Sequence, residues 1–185
     1  MEIYILRHAI AEMRDPLESR TDSERALTPE GIAKMEQIAR GMKALELTFD
    51  LILSSPFRRA KQTADIVVRT LRIKKRLLRT TRRLAAGSDP AKLAEELRRL
   101  GAKVKRVLLV GHEPDLSELI SLLLSGDSDL GIQLKKGGLC KLTSDSLQFG
   151  GDVVLEWFGG DKFITMHDLP LDEHTIVELI GDDAD

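Results

Sequence analysis

The apolar positions of this chain fall into two kinds of run. Three are short, unbroken and rich in branched residues: Ile3-Tyr4-Ile5-Leu6, Leu51-Ile52-Leu53 and Val107-Leu108-Leu109-Val110. Runs of this length without alternation predict central strands covered on both faces. Each ends in a polar turn: Arg7-His8, Ser54-Ser55-Pro56 and Gly111-His112-Glu113-Pro114. Between them the apolar residues recur with a helical period. Ile32, Met35, Ile38, Ala39 and Met42 form one stripe, opened by Thr28 as N-cap and Pro29 at the first helical position. Further helices are predicted from about Arg58 to Leu71, from about Pro90 to Leu100 with Gly101 as the stop, and from Leu116 to Leu124. Beyond Gly126 the pattern changes. Leu139 to Thr143 and Val153 to Phe158 read as strands, with Gly150-Gly151 and Gly159-Gly160 marking turns. Strand alternating with helix predicts an α/β domain, a three-layer α/β/α sandwich with a mainly parallel central sheet.

Composition narrows this picture. The 185 residues suffice for one domain with a sizeable core. That domain is expected over residues 1–166, followed by an acidic tail, 167–185, partly disordered beyond Gly181. Past Lys162 there is no Lys or Arg but seven Asp or Glu. Arg69 to Arg83, by contrast, carries eight basic residues in fifteen and no acid. The plain reading of that run is a solvated helix face. A net charge of −2 gives no global excess for nucleic-acid binding, and the basic run holds no aromatic residue on which a base could stack. The single cysteine, Cys140, rules out an internal disulfide framework and a Cys-rich zinc site, and it reads as core. No apolar run is long enough to span a membrane as a helix. The start, MEIYILRH, lacks the pattern of a secretory signal, so a cytoplasmic protein is expected.

Candidate chemistry follows from the strand ends, because open α/β sheets bind ligands outside the carboxyl ends of their strands. This chain places Arg7 and His8 there, then Ser54 and Ser55 with Arg58 and Arg59 close behind, and His112. Arginine offers paired planar donors to phosphate oxygens. Histidine can attack phosphorus or donate a hydrogen bond near neutral pH. Such a cluster suits a phosphoryl group in transit. Neighbours on a strand face opposite sides, so Arg7 and His8 converge only if the strand breaks there.

Three segments, LRHAIAE, SSPFRRAKQTA and LLVGHEPDLS, occur in this order, each at a strand end, together with ALTPEG at Ala26 to Gly31. They resemble the histidine phosphatase (phosphoglycerate-mutase-like) superfamily and, within it, the SixA-type phosphohistidine phosphatases. The resemblance runs from residue 1 to about residue 158. It implies a phosphoglycerate-mutase-like fold and a metal-independent phosphatase that needs no cofactor. It implies that His8 takes the phosphoryl group to form a phosphohistidine enzyme, with Arg7 binding phosphate beside it. The second phosphate-binding arginine aligns with Arg59 rather than Arg58. His112 matches the second histidine, which hydrogen-bonds the phosphoryl group, and the backbone following it, at Glu113, adds donors. The implied partner is a phosphohistidine-bearing phosphotransfer protein, whose acidic surface the basic run could guide. Arg25, just before ALTPEG, is a candidate substrate contact.

The chain departs from the family pattern twice. Ala9 stands where many members have Gly, which is tolerable if its φ stays negative. Members that cleave phosphate esters usually carry a carboxylic acid in the middle segment. Here that segment reads LAAGSDP, Leu84 to Pro90, with Asp89 its sole carboxylate. An alkoxide leaving group needs a proton in the transition state. Imidazole leaves more readily, since its protonated form has a pKa of about 6.5. The lack of an obvious acid therefore favours a P–N substrate, whereas Asp89 or Glu12 lying close to phosphorus would favour an ester. The alternatives are a phosphomonoesterase or mutase acting on a small phosphorylated metabolite, and a non-catalytic phosphate or nucleic-acid binder. A metallohydrolase built on His8 and His112 would need a carboxylate cluster near them, which the sequence lacks. His167 and His174 lie in no motif.

Overall fold

The structure, a computed structural model, describes residues 1–13, 21–101, 103–128, 130–159 and 163–165. Its strands are β1 (Glu2–Arg7), β2 (Leu51–Ser54), β3 (Leu78–Thr80), β4 (Arg106–Gly111), β5 (Leu139–Thr143), β6 (Val154–Gly159) and β7 (Phe163–Thr165). Its helices are α1 (Pro29–Ala44), α2 (Arg58–Thr70), α3 (Pro90–Arg98) and α4 (Asp115–Ser125), with short 3-10 turns at Asp22–Glu24, Lys75–Leu77 and Arg82–Leu84.

The strands form one sheet in the order β3-β2-β4-β1-β5-β6-β7. The first four run parallel, with Ile5 opposite Leu109 and Leu53 opposite the same residue on the other side. The last three are added antiparallel, beginning with Ile5 opposite Cys140. Alternate residues of β1 feed two separate cores. Ile3 and Ile5 pack with Leu93, Leu97, Leu119 and Ile120 of α3 and α4. Tyr4 and Leu6 pack with Met35, Ile38, Ala64 and Val67 of α1 and α2. The period-2 inversion of a strand thus dresses both faces, and the predicted α/β/α sandwich forms.

The helices begin where the sequence indicates. Thr28 Oγ1 accepts from Gly31 N–H at 3.0 Å, with Pro29 next in the chain. Asp89 caps α3 in the same way, its carboxylate accepting from Ala91 N–H at 2.9 Å ahead of Pro90. Glycine is required at position 31. A Cβ there would lie 2.0 Å from the Ile10 carbonyl oxygen, which also accepts from Thr28 N–H at 3.0 Å. α1 therefore packs directly on the backbone that follows β1.

Two expectations are corrected. The basic run is not a helix face: only Arg69 lies in α2, and the rest occupies turns and the edge strand β3. That strand escapes a hydrophobic scan because Leu78-Arg79-Thr80 holds a single apolar residue and sits at the edge of the sheet. α3 also stops at Arg98, short of Leu100. Cys140 is fully buried in the core, as expected. No helix among the described residues is long and apolar enough to cross a membrane. The acidic tail, with His167 and His174, lies outside the described residues.

Candidate active site

Because β1, β2 and β4 are parallel and adjacent, their carboxyl ends open on one edge of the sheet. The chain leaves β1 at His8. Gly137 N–H donates to the carbonyls of both Arg7 and His8 at 3.2 Å, while His8 N–H donates to Gly111 O at the end of β4 at 3.1 Å. Ala9 is buried, is absent from the residues of positive φ, and donates its N–H to Thr63 Oγ1 at 3.2 Å. The replacement of Gly by Ala is thus accommodated.

His8 is 8% exposed and has a definite tautomer. Its Nδ1 lies 2.7 Å from the Ala9 carbonyl, which can only accept, so Nδ1 carries the proton. Nε2 then holds a lone pair, and Arg59 Nε–H donates to it at 3.1 Å. Burial lowers the His8 pKa to about 4, against the Ala9 hydrogen bond and with help from Arg59, Arg7 and Arg25. The imidazole is accordingly neutral at pH 7 with Nε2 unprotonated, the form a nucleophile needs.

Arg59 is the second residue of α2, and its side chain is only 4% exposed. Arg58, one step round the helix, is exposed. Besides reaching His8, Arg59 donates from Nη1 to the Asp22 carbonyl at 2.7 Å and from Nη2 to Asp22 Oδ2 at 2.9 Å. Arg25 closes on the other oxygen, with Nε at 2.8 Å and Nη2 at 2.6 Å from Asp22 Oδ1. Burial pushes the Asp22 pKa up, but the hydrogen bonds and charges of Arg59 and then Arg25 outweigh it and hold the carboxyl below its ordinary value. Asp22 is therefore an anion at the centre of the cluster.

His112 lies opposite His8, with ring centroids 5.0 Å apart, and is 2% exposed. Its Nε2 is 2.7 Å from Ser55 Oγ at the end of β2. Ser55 Oγ also accepts from Phe57 N–H at 3.2 Å; when its own proton meets Nε2, the ring proton lies on Nδ1. That Nδ1 is buried and has no hydrogen-bond partner among the described residues. Burial, then the nearby His8 and Arg59, lower the His112 pKa to about 3. Arg7 anchors through Nη1 to the Leu134 carbonyl at 2.6 Å, while its buried Nε has no partner among the described residues. It is near enough to lower the pKa of both imidazoles.

The other candidate residues sort differently. Glu113 is pushed above the ordinary carboxylate pKa by burial, against a hydrogen bond from Ser117 Oγ to its Oε2 at 2.5 Å. Glu113 Oε1 is buried without a partner among the described residues. The Glu12 carboxylate accepts from Ala26 N–H at 3.2 Å, and its carbonyl takes Arg25 Nη1 at 2.8 Å. Asp89 is an exposed helix cap 3.6 Å from Lys92 Nζ. It borders a cavity of about 560 Å³ shared with Thr81, Arg82 and Arg83, none of which belongs to the His8–Arg59 cluster. Asp22 is the member that reading the sequence missed; its one signal was Arg25, a turn further on, immediately before ALTPEG. Among the described residues, no group of three or more His, Cys, Asp or Glu could hold a metal ion.

Comparison with known proteins bears on the family and the fold. The profile of the histidine phosphatase superfamily (branch 1) matches residues 3–100. An uncharacterised protein of Picosynechococcus sp. is 34% identical over 159 residues, covering 85% of this chain and 94% of that protein. The structure of the protein histidine phosphatase SixA complexed with tungstate aligns with a TM-score of 0.75 at 25% identity, over 87% of this chain and 97% of that one. The phosphoserine phosphatase of Entamoeba histolytica, as a mutant complexed with phosphoserine, shares the fold with a TM-score of 0.66 at 18% identity, over 87% and 98% of the two chains.

Proposed function

Because this chain belongs to the histidine phosphatase superfamily, we propose that it removes the phosphoryl group from protein phosphohistidine through a covalent intermediate on His8. His8 Nε2 attacks phosphorus, and the bond from phosphorus to the substrate imidazole breaks. Arg59 Nε–H moves from the consumed lone pair to a phosphoryl oxygen. Arg7 Nε and His112 Nδ1, both buried donors without protein partners among the described residues, hold the others. Water then hydrolyses the phosphoenzyme. The proton that Ala9 O retains on His8 Nδ1 keeps phospho-His8 in the form whose P–N bond breaks most readily.

The observation that supports a P–N substrate is the state of the carboxylates. Among the described residues, the carboxylate joined to the His8–Arg59 pair is Asp22, an anion held by two guanidinium groups with no proton to give an alkoxide. Glu12 accepts from the Ala26 backbone, and Asp89 caps α3. A second reading rests on Glu113. Its carboxyl, raised by burial and next to His112 in the chain, would supply a proton to a small phosphate ester.

The partner in the favoured reading is a protein with an acidic surface. Arg79, Arg82 and Arg83 are exposed along β3 and the turn after it, and Arg72 and the cations from Lys74 to Arg76 extend the strip. The strip adjoins the site, because Thr81 N–H donates to Ser54 O at 3.0 Å and Ser55 touches His112. We place the protein in the cytoplasm, consistent with a chain whose one thiol is buried and free.

The test is phosphate release from a phosphohistidine protein and from a panel of phosphate esters, with His8→Ala and Glu113→Gln beside the wild type. Preference for the P–N substrate, lost in His8→Ala and kept in Glu113→Gln, is expected. Faster ester hydrolysis that collapses in Glu113→Gln would establish the second reading instead.

A further inference from the structure

Asp22 has a place in the cluster that the two steps above do not use. Its Oδ2 is 2.9 Å from Arg59 Nη2, and Nε of the same guanidinium lies 3.1 Å from His8 Nε2. The carboxylate thus sits one guanidinium away from the nucleophilic nitrogen. Arg25 holds Oδ1 from the opposite side at 2.6 Å, so the anion is fixed rather than mobile. Oδ1 takes both donors from Arg25, but Oδ2 takes only one from Arg59 and keeps a second lone-pair direction; the side chain is still 36% exposed, so that oxygen can meet a group entering from solvent.

We propose that Asp22 is a specificity-determining residue that accepts a hydrogen bond from the substrate's imidazole N–H and so selects phosphohistidine over phosphate esters. The proposal rests on the phosphohistidine reading above. In that reaction the substrate imidazole carries phosphorus on one nitrogen and a proton on the other, and the ring is cationic. The lone pair of His8 Nε2 forms the new P–N bond. The electron pair of the old P–N bond stays with the departing nitrogen, and a neutral imidazole leaves with its proton still on the second nitrogen. An anion beside that N–H favours the protonated, reactive form of the substrate. For an ester the same anion is adverse, because the leaving oxygen gains negative charge as the P–O bond breaks. The cluster therefore pairs a cationic floor for the phosphoryl oxygens with an anionic edge for the leaving group. The Ala9 carbonyl plays the corresponding part for His8, accepting its Nδ1–H at 2.7 Å.

The experiment compares kcat/KM for phosphoimidazole and for an aryl phosphate in the wild type and in Asp22→Asn. The ratio of the two does not depend on how much of the variant folds. A fall in the P–N to P–O ratio of roughly 10- to 100-fold is expected, the scale of one charge-assisted hydrogen bond. An equal loss on both substrates would reduce Asp22 to a positioning residue for Arg59 and overturn the proposal, as would no change on either. A wild-type enzyme that shows no P–N preference would overturn the phosphohistidine reading itself, before any variant is compared.

Discussion

The two halves of the sheet teach different lessons. In β3-β2-β4-β1 every strand points the same way, so the residues that follow β1, β2 and β4 arrive at one edge. His8, Ser55 and His112 come from three distant parts of the chain and meet there. In β5-β6-β7 the strands alternate in direction, and successive strand ends fall on opposite edges. That half contributes burial, through residues such as Cys140 and Leu142 that are fully enclosed. Among the described residues it meets the site along its approach, where the Leu134 carbonyl accepts from Arg7 Nη1 and Gly137 N–H bonds the carbonyls of Arg7 and His8. Parallel pairing gathers chemistry and antiparallel pairing closes the core.

Substitutions can break that contrast, starting with the largest effect on turnover. Arg59→Ala should lower kcat/KM by about 10²- to 10³-fold, the usual cost of removing one donor to transition-state charge. Arg58→Ala, one residue away but exposed, should leave it unchanged, and steady-state kinetics on the pair would show whether the alignment is right. A smaller effect is expected at the edge of the parallel half. Reversing Arg79, Arg82 and Arg83 to Glu should slow turnover of an acidic phosphoprotein by roughly tenfold at low salt, through loss of steering. Hydrolysis of phosphoimidazole by that variant should not change; equal loss on both substrates would mean the strip supports the site rather than the partner. In the antiparallel half, Leu142→Ala should lower stability by about 2–5 kcal/mol in denaturant titration, yet leave kcat per folded molecule at the wild-type value. A drop in kcat there would show that the two halves are not separable.

The elements legible in the sequence are those whose cause is local. The branched runs of β1, β2 and β4 and the Thr28-Pro29 and Asp89-Pro90 helix starts follow from neighbours a few residues apart. β3 was illegible because an edge strand one apolar residue deep carries no hydrophobic signal. Arg58 and Arg59 are chemically identical in sequence, and only the rotation of α2 against the sheet turns one inward and leaves the other in water. Asp22 was hidden for a similar reason: its meeting with Arg59 spans 37 positions and depends on the path of the loop before α1. Asp89 drew notice as the sole carboxylate of its segment, but the structure makes it the N-cap of α3, ahead of Pro90.

Gly31 carries no functional group, yet it governs where the chain runs after His8. The missing Cβ lets α1 rest on the Ile10 carbonyl, two residues past His8. A methyl group introduced there would have to displace either the helix or the loop, and the loop carries His8. The ALTPEG stretch thus acts as a spacer, a clearance at Gly31 that keeps the chain after His8 seated against α1.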